Sequence, residues 1–107
     1  MQQLTATQLQ EWLADPARQK PVLLDVREPW EFDVCRIADS KTMPMRSIPA
    51  RFIELQRDAD MVIVCRHGAR SYQVAMFLEQ QGFTNIYNLY GGVTAWAQQV
   101  DPTMPTY

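Results

Sequence analysis

The stretch MVIVCRHGARS, residues 61–71, decides the fold and points to the chemistry. Its first part, residues 61–65, is apolar and rich in β-branched side chains, which is typical of a strand buried on both faces. A helical pattern over residues 72–81 follows, and Gly82 is a good C-terminal stop. The stretch is therefore predicted to join the carboxyl end of a strand to the start of a helix, which is the edge where open α/β sheets bind ligands.

The loop after this strand surrounds Cys65 with positive charge. Arg66 and Arg70 supply two permanent charges, and the unpaired N–H groups and dipole of the helix start add about half a charge more. Gly68 permits the positive φ that a ring of amides around one atom often needs. These surroundings favour a thiolate over a thiol. We expect Cys65 to be a nucleophile beside an anion site, in preference to the alternative of an inert thiol ending a buried strand.

Helix and strand patterns alternate along the rest of the chain. Residues 4–9 predict a helix start in which Thr5 caps and Gln8 bonds back to it. This order predicts an α/β fold in which helices cover both faces of a parallel sheet. A length of 107 residues suits one domain, residues 1–107. The other predicted elements are strands over 22–26 and 83–89, a helix over 47–55 capped by Ser47, and a helix over 93–99.

Composition excludes several functions. Ten basic and twelve acidic residues give a net charge of −2, which disfavours a nucleic-acid surface. Two cysteines and one histidine are too few for a disulfide framework or a four-ligand zinc site. The longest apolar run, residues 61–65, is far below the ~20 residues that cross a bilayer, and the N-terminus does not resemble a secretory signal. We expect a cytoplasmic protein, a monomer or weak dimer, without a cofactor, metal, nucleic-acid or membrane partner.

Three separated motifs together resemble the rhodanese-like sulfurtransferase family. Residues 65–71 resemble its active-site loop, and LDVREP with Glu31-Phe32, within residues 24–32, resembles its first strand motif. The sequence NLYGGV with Trp96, within residues 88–96, resembles its C-terminal signature. The motifs occur in the family's order over nearly the whole chain. The resemblance implies a rhodanese-like three-layer sandwich with a mostly parallel central sheet of about five strands.

The resemblance also implies a persulfide mechanism. Cys65 would attack the outer sulfur of thiosulfate or a similar small anionic donor, release sulfite, and pass the sulfur to cyanide or to a thiol or protein acceptor. Arg66 and Arg70 would hold the sulfonate end, and no metal or organic cofactor is needed. The implied substrate-binding residues are Arg66, His67, Gly68, Ala69, Arg70 and Ser71.

Two alternatives to this enzyme remain. Cysteine-dependent phosphatases and arsenate reductases of related fold place an arginine six positions after the nucleophile, where this chain has Ser71. A shorter loop suits a sulfur atom better than a tetrahedral phosphate. The second alternative is a non-enzymatic module of the same fold that binds a partner or carries sulfur. The cysteine and its arginines favour the enzyme.

Several other residues could suggest a direct catalytic role or an aromatic ligand platform, and we expect neither. His67 is expected to shape the rim of the loop, because a thiolate already formed needs no base. Asp25 and Arg27 are expected to fix neighbouring loops through buried hydrogen bonds. Three aromatic side chains are expected in the core and not at a ligand: Trp30, Phe32 and Trp96.

Residues 35–40, Cys-Arg-Ile-Ala-Asp-Ser, depart from the family pattern. The family commonly has Gly-His-Ile, one variable residue and Gly-Ala here, so two glycines and a histidine are missing. We expect Cys35 to be an isolated thiol, since nothing in the sequence brings it within ~7 Å of Cys65. The alternatives are that Cys35 resolves an oxidised Cys65 as a disulfide and that Arg36 extends the positive rim.

Overall fold

A computed structural model describes residues 1–107 and contains one five-stranded sheet in which every pair of neighbouring strands is parallel. This confirms the predicted α/β class and the parallel sheet of about five strands. The strand order is β1-β5-β4-β2-β3, so the strand that precedes the cysteine loop lies in the centre. The strands are β1 (Gln2–Leu4), β2 (Val22–Asp25), β3 (Lys41–Thr42), β4 (Met61–Val64) and β5 (Ile86–Leu89).

Strand β4 is apolar throughout because both of its faces are covered. All four of its residues are buried. Val62 and Val64 pack into the cluster on one face, whereas Met61 and Ile63 pack into the cluster on the other, together with Cys65. The alternation follows from the two-residue period of a strand. The side chain of Cys65 therefore leaves the sheet on the second face.

Helices form a layer on each face of the sheet. The helices are α1 (Ala6–Ala14), α2 (Pro29–Val34), α3 (Ile48–Arg51), α4 (Ala69–Gln80) and α5 (Gly92–Gln99). Buried residues of α1 and α5 belong to the first cluster, and those of α3 and α4 belong to the second. The predicted capping box is present, since Thr5 Oγ1 accepts from Gln8 N at 3.1 Å and Gln8 Oε1 accepts from Thr5 N at 2.9 Å.

The structure differs from the sequence-based expectations at several element boundaries. Helix α4 begins at Ala69 and not at residue 72, because Gly68 adopts a left-handed conformation at the N-cap. Ser47 makes no capping hydrogen bond, so that prediction is wrong. The chain there forms short 3₁₀ turns on either side of α3, because Pro49 tolerates only the first turn of a helix. Strand β5 begins at Ile86, later than expected.

Candidate active site

The loop between β4 and α4 and the first turn of α4 place two polar groups against the sulfur of Cys65. The backbone N–H of Gly68 donates to Cys65 Sγ at 3.0 Å, and the buried Ser71 hydroxyl lies 3.2 Å from the same atom. Gly68 has a φ of 100°, a conformation that side chains other than glycine rarely adopt. Strand, glycine turn and helix start therefore converge on this one sulfur atom.

The first turn of α5 fixes the backbone of this loop from the other side. Val93 N donates to the carbonyl oxygen of Cys65 at 2.9 Å, and Thr94 N donates to that of Arg66 at 3.1 Å. A Cβ on Gly92 would lie 2.4 Å from both carbonyl oxygens, which is impossible without movement. The glycine pair of residues 91–92 therefore lets α5 approach closely enough for its free N–H groups to hold the loop.

Arg70 forms a two-pronged ion pair with Glu31 of helix α2. Its Nη1 and Nη2 each lie 2.8 Å from a different carboxylate oxygen. The Glu31 side chain is 5% exposed and the Arg70 side chain 37% exposed. The hydrogen bonds from Arg70 lower the pKa of Glu31 to about 2, so Glu31 is a carboxylate at neutral pH. The same hydrogen bonds raise the pKa of Arg70, and the nearby Cys65 adds a smaller electrostatic contribution.

Arg27 and Asp25 form a buried pair that ties together the segments on one side of the site. Arg27 Nη2 lies 2.7 Å from Asp25 Oδ2, and both side chains are at most 1% exposed. Arg27 also donates to the carbonyl oxygens of Glu31 at 3.3 Å and Cys35 at 2.7 Å. Burial lowers the pKa of Arg27, but hydrogen bonds to Asp25 and other partners outweigh it and the net shift is upward. Arg27 therefore joins the end of β2 to both ends of α2.

Tyr107 reaches this group of charges from the segment after α5. Its hydroxyl donates to Glu31 Oε1 at 2.7 Å and accepts from Arg27 Nη1 at 3.0 Å. Its ring centre lies 4.3 Å from the guanidinium carbon of Arg66. The edge of Trp30 packs against the ring, with 5.4 Å between ring centres. Burial raises the pKa of Tyr107, which keeps the phenol protonated at neutral pH.

The structure places the predicted site residues unequally. Gly68 and Ser71 contact the sulfur, whereas Arg66 stacks on Tyr107 and Arg70 pairs with Glu31. Ala69 and Ser71 lie in the first turn of α4 and not in a loop. His67 is exposed, and its Nδ1 lies 3.3 Å from Thr94 Oγ1.

The sulfur itself is less accessible than the sequence suggests. Cys65 is only 1% exposed, because its side chain packs into the cluster around Val26 and Val74 while its sulfur meets the loop donors. A cavity of about 350 Å³ lies beside the loop, lined in part by His67, Gly68 and Ala69, and Cys65 does not line it. The sulfur of Cys65 is therefore buried and does not open onto this cavity.

Four other sequence expectations are settled by placement in the fold. Trp96 is buried, but Trp30 is 60% exposed and Phe32 is half-buried outside both core clusters, so the expectation that Trp30 and Phe32 belong to the core is wrong. Trp30 is the second residue of α2, and its ring packs against that of Tyr107. Cys35 is a free buried thiol that packs on the opposite face of the sheet from Cys65.

Sequence reasoning missed two residues of the site, Glu31 and Tyr107. Glu31 lies 39 positions from its partner Arg70, and Tyr107 lies 76 positions from Glu31. No local spacing connects such residues. The one available signal was that Glu31 belongs to the quoted first strand motif.

Two structural features are absent from the chain. No helix has the length and apolar character that crossing a membrane requires. No three histidine, cysteine or acidic side chains lie close enough together to hold a metal ion.

Comparisons with known proteins agree on one family. The family model described as Rhodanese-like domain matches residues 5–99. A sulfurtransferase of Allochromatium vinosum is 47% identical over 77 residues, which cover 72% of each chain. A rhodanese-like/PpiC domain-containing chloroplast protein of Arabidopsis thaliana is 39% identical over 89 residues, 79% of this chain but only 30% of that protein.

Solved structures give the same result. A rhodanese-related protein of Thermoplasma volcanium superposes with a TM-score of 0.83 at 31% identity and 94% coverage of both chains. A rhodanese-like domain protein of Staphylococcus aureus superposes with a TM-score of 0.82 at 30% identity, covering 90% of this chain and 91% of that one.

Proposed function

This chain belongs to the rhodanese-like family, whose relatives include named sulfurtransferases, and on that premise we propose that it transfers sulfur through a persulfide on Cys65. One observation carries the proposal: the Gly68 N–H and the Ser71 hydroxyl both lie within hydrogen-bond distance of Cys65 Sγ. Donors aimed at a sulfur stabilise its negative charge, and the thiolate is the form of cysteine that attacks.

In the first half-reaction, the Cys65 thiolate attacks the outer sulfur of thiosulfate. A new S–S bond forms to Cys65, the S–S bond of the donor breaks, and its electron pair leaves with sulfite. The persulfide keeps one negative charge on its outer sulfur. The start of helix α4 favours that charge, because its free N–H groups and its dipole point toward the loop. No proton has to move in this step.

In the second half-reaction, a nucleophilic acceptor takes the outer sulfur. Cyanide or a thiolate attacks it, the S–S bond to Cys65 breaks, and the electron pair returns to the Cys65 sulfur. Thiocyanate or a new persulfide leaves, and the enzyme is restored. We expect the natural acceptor to be a cytoplasmic thiol or a protein thiol.

The anionic end of the donor is proposed to bind Arg66 and Arg70. Arg66 follows the nucleophile directly and Arg70 is the second residue of α4. Arginine suits this role because its planar fork matches the oxygens of a sulfonate. Glu31 already neutralises part of the charge of Arg70, so Arg66 is the group with the freer charge.

Intact-mass spectrometry tests the proposal. Incubation with thiosulfate, followed by removal of small molecules, is expected to add the mass of one sulfur atom, and cyanide is expected to remove it. Cys65→Ser is expected to abolish the adduct. Cys35→Ser is the matched control, because Cys35 is the other free thiol and is also buried. This control is expected to keep the adduct.

The outcomes separate the alternatives. Without a cyanide-labile adduct on the wild-type protein, the persulfide mechanism with thiosulfate is wrong and a binding module is favoured. A cyanide-labile adduct that small thiols do not take up indicates a sulfur carrier that serves a protein partner. Hydrolysis of an aryl phosphate would favour the phosphatase alternative.

A further inference from the structure

Residues 101–107, here called the strap, fold back from the end of α5 onto the rim of the active-site loop. They lie outside the residues 5–99 that the family model matches. The strap begins with a turn in which Asp101 N donates to Trp96 O at 2.9 Å and Met104 N donates to Asp101 O at 3.1 Å. Met104 is buried against the core at 9% exposure. The strap is therefore anchored before it reaches the site.

Tyr107, the last residue of the strap, contacts Arg66 and Glu31 beside the active-site loop. Its ring covers the guanidinium of Arg66 at 4.3 Å, and its hydroxyl donates to Glu31 Oε1 at 2.7 Å. The same Glu31 oxygen accepts from Arg70 Nη2 at 2.8 Å. Each guanidinium beside the loop is thus already engaged, Arg66 by an aromatic face and Arg70 by a carboxylate. An anionic donor at Arg66 therefore shares the guanidinium charge with the ring, and at Arg70 it has to weaken the ion pair with Glu31.

The effect of the ring depends on the charge of the donor. The electron-rich face of the ring compensates part of the positive charge of Arg66, so a dianion gains less from Arg66 while the ring remains in place. Without the ring, the full charge of Arg66 is available to the donor. The Coulomb energy between Arg66 and the donor then rises with the negative charge of the donor.

We infer that Tyr107 is a specificity-determining residue that competes with the donor's anionic group for Arg66, so that the strap discriminates against small, highly charged donors. The inference rests on the proposed sulfur transfer through Cys65. It assigns to the strap a role in choosing among sulfur donors, with monoanionic donors favoured relative to dianions while Tyr107 is in place.

The test compares two donors in wild-type protein and in Tyr107→Ala. Thiosulfate is a dianion, and methanethiosulfonate is a monoanion that transfers the same outer sulfur and releases a sulfinate. In Tyr107→Ala, the KM for thiosulfate is expected to fall by about twofold to fivefold, the range of an exposed cation–π contact. The KM for methanethiosulfonate is expected to fall less, and kcat is expected to change little for either donor.

Two further variants separate competition for Arg66 from loss of structure. Tyr107→Phe keeps the ring over Arg66 but loses both hydrogen bonds of the hydroxyl, so its KM for thiosulfate is expected to stay close to that of wild type. Thr106→Ala changes the exposed neighbouring residue of the strap and is expected to leave both KM values unchanged.

Each result decides one part of the inference. An unchanged KM for thiosulfate in Tyr107→Ala, or equal changes for the two donors, overturns the role of Tyr107 while leaving sulfur transfer intact. Absence of a sulfur adduct on Cys65 in every variant overturns the proposed function, and the inference with it.

Discussion

Glu31 offers the sharpest test of the site's electrostatics, because its charge is buried beside the cysteine loop. Glu31→Gln keeps the size of the side chain but removes the charge that faces Arg70. The folded state lowers the pKa of Glu31 from 4.5 to about 2. At about 1.4 kcal/mol per pKa unit, this pKa difference corresponds to about 3 kcal/mol of unfolding free energy. Because Arg70 is 37% exposed, solvent screens the ion pair, and Glu31→Gln is expected to lose about 1–2 kcal/mol of unfolding free energy at neutral pH.

The pH dependence gives the sign of this prediction. A carboxyl group with a lowered pKa in the folded state stabilises the protein above its unfolded pKa and loses that contribution as the pH falls. The difference in unfolding free energy between wild type and Glu31→Gln is therefore expected to be largest at neutral pH and to shrink between about pH 5 and pH 2. Urea unfolding followed by tryptophan fluorescence measures it at several pH values.

A matched control is the exposed ion pair of Arg51 with Glu54, which lie three residues apart on the surface. Glu54→Gln is expected to change the free energy of unfolding much less than Glu31→Gln. If the difference in unfolding free energy between wild type and Glu31→Gln stays constant from pH 7 to pH 3, the charge of Glu31 is not the source of the stabilisation.

Two further predictions concern the loop itself. Gly92→Ala is expected to lose at least about 2 kcal/mol of unfolding free energy, since its Cβ would meet two backbone carbonyl oxygens at 2.4 Å. Gly82→Ala shares the positive φ but would meet only the flexible end of Arg57, so a urea titration that ranks the two variants equally contradicts this reasoning. Ser71→Ala removes the hydroxyl 3.2 Å from Cys65 Sγ and is expected to slow persulfide formation about tenfold in rapid-quench mass spectrometry. An unchanged rate would exclude the hydroxyl from stabilising the thiolate.

The central strand and its loop could be predicted from the sequence because their physical signals are local. Residues 61–64 are apolar at every position, as burial on both faces of the sheet requires. Gly68 follows after a few polar residues and permits the left-handed turn that starts α4. The capping box of α1 was equally local, with Thr5 and Gln8 three residues apart.

The remaining differences have two physical causes. Strands β1 and β3 contain three and two residues, which is too short for any period to be recognised, and they exist because they pair with β5 and β2. Arg66 contacts the ring of Tyr107 and Arg70 pairs with Glu31, and only the folded chain brings these residues together. The positive charge near Cys65 could thus be predicted from the sequence, but the residues that contact the two arginines could not.

Peptide mapping shows directly which cysteine carries the transferred sulfur. After reaction with thiosulfate, the protein is alkylated and digested, and the peptides containing Cys35 and Cys65 are compared by mass. Sulfur transfer through Cys65 predicts one added sulfur on the peptide of Cys65 and none on that of Cys35. Added sulfur on Cys35 alone, or on neither peptide while thiocyanate is still produced from cyanide, would contradict it.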